Sequence, residues 1–459
     1  MRNTKLFIIA VLFLIKVSNS FAQSLKYEGK EYIINGINIP WHSFGSDVGT
    51  HYQWGALNDS TWFENTFTDL ENYGVNCARL WIHCDGRTSP EFTDSGVVSG
   101  LDANFFENFD DIFLRAEKHH IMLIPCLWSF DMTKDYRSTA GNYAGWHADL
   151  IRDTLKTKSY IDNALIPMVQ HYANQCNLLA WEIINEPEWS MDIPGGGNTI
   201  QQVKANEMQR FVGMQAEAIH QYSNKMVTLG SASIKWNSNE ITNQTSVVGN
   251  YWSDSALQVA YPHPLAYLDF YEIHYYDWMY AYHFDPFDLS YPLSFWKLDK
   301  PVIIGEAGTS TQYTSQQMLD NGSTNKYAGV LFWSYAANDG YGNWDDCKSE
   351  LFSFSVVHHD SIYITTCDTA SEIISNKQTD VDFKVYYSDN KIFIQYQHIS
   401  LPAYWEIVNL AGQKIMNGEI KNNVGTKQID VLNWSQGLYF IVMNFAPHCS
   451  LFSIHCSLN

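Results

Sequence analysis

Three observations predict an α/β chain, a (β/α)8 or TIM barrel followed by a small C-terminal β-sandwich. Short apolar runs alternate with helix-like amphipathic stretches from residue 30 to about residue 340. Two of those runs, Leu178–Asn185 and Val302–Glu306, lead directly to a glutamate at the strand end. Around residue 370 the texture changes to short alternating strands separated by turn residues.

The chain begins with Arg2 and Lys5 ahead of the apolar run Leu6–Ile15, and Ser20-Phe21-Ala22 offers small residues for cleavage. Residues 1–22 therefore read as a secretory signal peptide, since the run is too short to span a membrane. No later segment is long and apolar enough to cross one. The formal charge of −21 loses Arg2, Lys5 and Lys16 with that segment and becomes −24. Such a surface argues against nucleic acid or an anionic membrane as partner and is neutral toward an uncharged polysaccharide.

Residues 23–369 hold the eight strands Tyr32–Pro40, Cys77–His83, Ile121–Leu127, Leu178–Asn185, Met226–Gly230, Phe270–His274, Val302–Glu306 and Gly329–Trp333. Continuous apolar runs of this length suit strands buried on both faces. Thr61–Tyr73, Ser159–Tyr172 and Gln201–Tyr222 carry apolar residues at helical spacing. The connection between the fifth and sixth strands is long and aromatic, which suits a cleft wall. Residues 370–380 are polar and read as a linker. Residues 381–445 read as the sandwich, with strands Phe383–Tyr387, Lys391–Gln397, Tyr404–Val408, Lys427–Val431 and Leu438–Met443, and residues 446–459 as a tail.

Eight cysteines in a secreted chain permit disulfides without requiring them. Cys77 and Cys84 lie along one strand, roughly 23 Å apart, and cannot pair. Cys84 with Cys126, Cys347 with Cys367, or free buried thiols all remain open. No CxxC, HExxH or calcium-loop spacing appears, so no metal and no cofactor are expected.

The chemistry sits where a barrel keeps it, at the carboxyl ends of the strands. In LLAWEIINEPEW the strand stops at Pro187, which has no N–H for the ladder, and Glu186 is fixed at its end. Glu306 closes KPVIIGEAG in the same way. The fourth and seventh strands face each other across an eight-stranded barrel. Two carboxyl groups about 5–5.5 Å apart are what a retaining glycosidase needs. Trp41 and Trp128 directly follow strands and are candidates for stacking on a sugar face, as is Trp189. His83 and Glu188, also near strand tops, are candidates for sugar contact.

Together these motifs resemble glycoside hydrolase family 5, a group of retaining β-glycanases. The resemblance implies Glu186 as acid/base, Glu306 as nucleophile, and Asn185 as the neighbour that bonds the sugar 2-hydroxyl. In DFYEIHYYDW it implies that His274 and Tyr276 contact substrate and position the nucleophile. It implies Arg79, in RLWIHCDG, as the group that keeps the nucleophile ionised, and Trp333 as the platform under the cleaved sugar. CLWSFDM, SYIDNALIPMV and the motifs above are similar to the endo-β-1,4-mannanase subfamily over most of residues 28–340. GEAG replaces the more usual aromatic after the nucleophile and is expected to alter the subsite floor. The implied substrate is a β-mannan, with a β-1,4-glucanase or a non-catalytic carbohydrate-binding barrel as the rival readings. A reducing-sugar assay separates them.

NLAGQKIMNGEI followed by IDVLNWSQGLYFIVM resembles the C-terminal sorting domain of the bacterial type IX secretion system. This implies secretion machinery as a partner and a secreted or cell-surface protein; a monomer is expected. The end, FAPHCSLFSIHCSLN, lacks the lysine-bearing last strand that the resemblance leads one to expect.

Overall fold

A computed structural model describes residues 24–27, 29–49, 59–134, 143–242, 249–337 and 339–358, and most of residues 382–456. The expected signal peptide, the linker and Cys367 lie outside the described residues. The chain divides into two compact units, Met1–Thr366 and Cys367–Asn459.

The first unit is a closed barrel of eight parallel strands. They are β1 (Ile34–Ile39), β2 (Cys77–Cys84), β3 (Met122–Ser129), β4 (Ala180–Asn185), β5 (Met226–Ser231), β6 (Tyr271–Tyr275), β7 (Val302–Ala307) and β8 (Gly329–Phe332). Each pairs with its successor, and β8 with β1 closes the ring. Nearly every strand residue is buried, which is why the strands read as unbroken apolar runs. Helix Ser60–Asn72 is started by Asp59, whose carboxylate accepts from the Trp62 amide at 2.9 Å. It turns Phe63, Phe67 and Leu70 onto the barrel. The predicted helix 159–172 is broken into Thr154–Tyr160, a π turn at Ile161–Leu165, and Ile166–His171. Helix Ala205–Tyr222 starts four residues later than its periodicity suggests.

The register fixes the heights of the site residues. His274 on β6 lies beside Glu306 on β7, and Asn185 on β4 beside Gly230 on β5. Among the described residues no helix is long and apolar enough to cross a membrane.

Cys77, Cys84, Cys126 and Cys347 are free and buried. The optional pairings Cys84–Cys126 and Cys347–Cys367 are thus both set aside, and among the described residues Cys176 is disulfide-bonded.

The second unit contains two antiparallel sheets. Its strands are β9 (Asp382–Ser388), β10 (Lys391–Gln397), β11 (Ala403–Asn409), β12 (Lys414–Ile420), β13 (Gly425–Asp430), β14 (Gly437–Phe445) and β15 (His448–Cys456). One sheet has the order β9-β10-β13 and the other β12-β11-β14-β15. Ile392, Ile394, Trp405 and Ile407 are buried at alternate positions, the period of a strand with one face inward. Two strands go beyond the sequence reading. β12 was missed, and the supposed tail pairs along its length with β14 from Gly437↔Cys456 to Phe445↔His448.

Candidate active site

Glu186 follows β4 directly and holds a left-handed backbone, φ 46° and ψ 51°. For a residue with a Cβ this conformation costs on the order of 1–3 kcal/mol, and such strain collects at functional positions. Its amide donates to the Gly230 carbonyl at 2.6 Å, which ties the turn to β5. One carboxylate oxygen meets His274 Nδ1 at 2.9 Å and the other accepts from the Trp189 indole N–H at 2.8 Å.

Glu306 is more enclosed. One oxygen accepts from Arg79 at 2.7 Å and the other from the Tyr276 hydroxyl at 2.6 Å, with His274 Nδ1 at 3.5 Å. Burial and the neighbouring Glu186 push this carboxyl above its usual range, and His274, Arg79 and the Tyr276 hydrogen bond offset that only in part. In His274 the balance tips the other way. Desolvation opposes its charge, but Glu306, Glu186 and Glu272 outweigh it and raise the imidazole to about 10. The ring is therefore an imidazolium at neutral pH, held between the two glutamates.

Arg79, wholly buried on β2, organises the floor. It donates to Glu182 at 2.5 and 2.7 Å, to Glu306, to Asn38 Oδ1 at 2.9 Å and to Asn185 Oδ1 at 2.7 Å. A fixed planar fork of donors is what a guanidinium offers and an ammonium does not. With its oxygen so occupied, Asn185 presents its amide nitrogen as the donor to any ligand. Glycines make room for this layer. A Cβ on Gly230 would stand 2.7 Å from Glu182 and 2.8 Å from His274 Nε2. One on Gly308 would stand 2.6 Å from the Tyr276 ring, which explains the small residue two places after Glu306.

Two aromatic groups flank the pair. Trp333 donates its backbone N–H at 3.0 Å to the carbonyl of Ala307, the residue that follows Glu306. Its indole N–H goes to Asp339 at 2.9 Å, and its ring, 6% exposed, meets Trp41 and Trp81, both at 6.0 Å. On the other side Trp189 meets Trp236 edge-on at 5.4 Å and Trp278 at 6.5 Å. Trp278 is 40% exposed and extends this wall outward.

Three sequence candidates do not belong to the cleft. His83 is buried among Phe105, Trp128 and Tyr160, and desolvation lowers its imidazole to about 3. A bulge in β2 between Trp81 and Cys84 re-aims it outward. Trp128 is fully buried against His83 and Tyr160, with ring centroids at 5.0 and 5.2 Å. Glu188 is buried as well. It accepts from Ser231 and the Trp252 indole, both at 2.7 Å, and from the Ala232 amide at 3.1 Å. It pins the loop after β4 to the loop after β5. Trp128→Ala should accordingly cost about 3–5 kcal/mol of stability and leave KM unchanged, checked by denaturant unfolding and steady-state kinetics. A raised KM with normal stability would return Trp128 to the cleft.

The sequence reading missed Asn38, Glu182 and Glu272, which complete the layer under Arg79. A signal was present: acids inside apolar strands, at Glu182 and Glu272, are rarely buried without a partner.

Glu186, His274 and Glu306 each bring one polar atom to within 4.8 Å of the others, and no other His/Cys/Asp/Glu group among the described residues converges as a metal site would. The guanidinium on Glu306 and the charge of His274 already supply cations there, and they oppose a metal ion.

A closed parallel barrel carrying two opposed glutamates at its strand ends defines the class: this is a glycoside hydrolase. The particular family follows from comparison. The chain is 32% identical over 335 residues to a mannan endo-1,4-β-mannosidase of Mytilus edulis, covering 68% of this chain and 86% of the relative. A mannan endo-1,4-β-mannosidase of Cryptopygus antarcticus is 27% identical, covering 72% and 87%. The crystal structure of the blue mussel β-mannanase superposes with a TM-score of 0.63 at 27% identity, covering 72% of this chain and 94% of that one. The β-1,4-mannanase of Aplysia kurodai does so with 0.65 at 27% identity, covering 74% and 97%. The chain belongs to the mannan endo-1,4-β-mannosidase family. Residues 388–448 match the secretion system C-terminal sorting domain.

Proposed function

We propose that this chain is a secreted, retaining endo-β-1,4-mannanase, with Glu186 as acid/base and Glu306 as nucleophile. The observation that carries the reading is the approach of the two carboxyl groups, with an oxygen of each inside 4.8 Å. So close an approach of nearest oxygens suits the carboxyl separation of direct attack, about 5–5.5 Å, better than the about 6.5–9.5 Å at which an inverting enzyme leaves room for water between its acids.

In the first step Glu306 attacks the anomeric carbon while Glu186 gives its proton to the departing glycosidic oxygen. The bond to the leaving chain breaks and a glycosyl ester forms. In the second step Glu186 takes a proton from water, which attacks the same carbon and frees Glu306. Tyr276 and Arg79 hold the two oxygens of Glu306 in line. Asn185 donates to the sugar 2-hydroxyl, Trp333 and Trp41 floor the cleaved unit, and Trp189 carries the leaving side. His274 Nδ1 lies against both acids, 2.9 Å from Glu186 and 3.5 Å from Glu306.

The acidic charge leaves an uncharged polysaccharide free to bind, and the sorting domain suits delivery to the cell surface behind a signal peptide. The enzyme acts as a monomer and draws on no cofactor. Reducing-sugar release across mannan, glucomannan, galactomannan, carboxymethyl cellulose and xylan tests substrate and activity together. Mannan and glucomannan should be cut with a viscosity drop well ahead of sugar release, and the first product seen by proton NMR should be the β anomer. Equal rates on carboxymethyl cellulose would make the enzyme a glucanase, and an α first product would make it inverting.

A further inference from the structure

We propose that Glu272, a buried carboxylate on β6 below the catalytic pair, is a positioning residue that holds His274 charged and so sets the pH range over which Glu186 and Glu306 work. This rests on the assignment of those two glutamates.

Glu272 and His274 are two residues apart on one strand, so both point into the barrel. Glu272 is wholly buried, and neither of its oxygens has a hydrogen-bond partner. Nor has Nε2 of His274. The two unpartnered groups face each other, with Oε1 3.9 Å from Nε2 and 3.1 Å from Nε of Arg79. The chain keeps space for this carboxyl beside the nucleophile. A Cβ on Gly305, the residue before Glu306, would lie 2.0 Å from Oε1.

The charges around it come from β7 beside it and from strands across the barrel. β2 brings Arg79, β4 brings Glu182 and leads to Glu186, and β7 brings Glu306, while β5, its other neighbour, brings none. Thiols at Cys77 and Cys126 and the Tyr276 hydroxyl are pushed up by burial and stay neutral. Four carboxyls thus share one guanidinium and one imidazole. Burial and Glu182 push the Glu272 carboxyl up, and Arg79 and His274 pull it down. The balance leaves the carboxyl above its ordinary range. In its ionised form it stands beside two cations, and its charge favours the proton on the far side of the ring, where Nδ1 meets Glu186.

The test is Glu272→Gln, which keeps shape and removes charge. Loss of a nearby negative charge lowers the proton affinity of carboxyls and imidazole alike. Both limbs of the kcat/KM profile should move to lower pH, by about one unit. Glu272→Asp, which keeps the charge, should restore most of the shift. A merely structural residue would lower melting temperature and scale the profile without moving its limbs, and unmoved limbs in folded Glu272→Gln overturn the proposal. Should that variant not fold, 15N NMR of the wild-type enzyme decides, with the His274 signal identified by its loss in His274→Asn. Both ring nitrogens should be protonated at pH 8, and a neutral ring there overturns the proposal. The catalytic assignment is judged separately by Glu306→Gln: if that variant is dead and the Glu272→Gln limbs are unmoved, only the present inference fails.

Discussion

Glu306→Gln should lower kcat by on the order of 10³-fold or more on every substrate, because no ester can form through an amide. Glu186→Gln should lose as much on mannan, where the departing oxygen is an alkoxide unless protonated. The two variants part on an aryl mannoside whose leaving group is a weakly basic phenolate. That group departs without a proton, so the first step of Glu186→Gln recovers and glycosyl enzyme accumulates as a burst. Glu306→Gln recovers nothing. Both should stay folded at assay temperature, because Gln keeps one acceptor oxygen, for Tyr276 or Trp189, and Arg79 keeps Glu182 and Glu272. Equal recovery by both on the activated substrate would sink the division of roles.

Much of this site could be read before any coordinates. A parallel barrel buries its strands on both faces, so the eight runs stand out as apolar and end where turn residues begin. Glu186 and Glu306 were legible because each closes such a run. What the runs hide is their inner face. Glu182 and Glu272 sit inside two of them, and a linear reading cannot say that both meet Arg79. His83 and Trp128 were misplaced for a related reason. The bulge in β2 reverses the facing of His83, and no residue in RLWIHCDG announces it. In the second unit β12, KIMNGEI, hides behind an exposed, weakly alternating pattern. β15 was discounted because its sequence departs from the resemblance, although HCSLFSIHC alternates well enough to pair as an edge strand.

Arg79→Ala should cost both activity and stability, and the pH dependence of the stability loss identifies its cause. The guanidinium compensates Glu182, Glu272 and Glu306, all three buried and the first two wholly so. Breaking a buried charge pair by removing one partner costs about 3–5 kcal/mol. Without Arg79, burial pushes Glu306 and Glu272 up, with His274 and, for Glu306, the Tyr276 hydroxyl left to oppose it. A carboxyl whose folded pKa exceeds its unfolded value binds its proton more tightly in the native state. Stability then declines as pH rises past the unfolded value of about 4.3. The deficit of the variant should therefore be largest at neutral pH and above, and shrink as pH falls toward about 4–5, where those carboxyls take up protons. Arg79→Lys should recover part of the stability and little of the activity, since one ammonium cannot reach Glu182, Asn185 and Glu306 at once. Denaturant unfolding at pH 5 and pH 8 measures the difference. A deficit equal at both would mean that Arg79 fills space under the site and that its charge does not hold the glutamates.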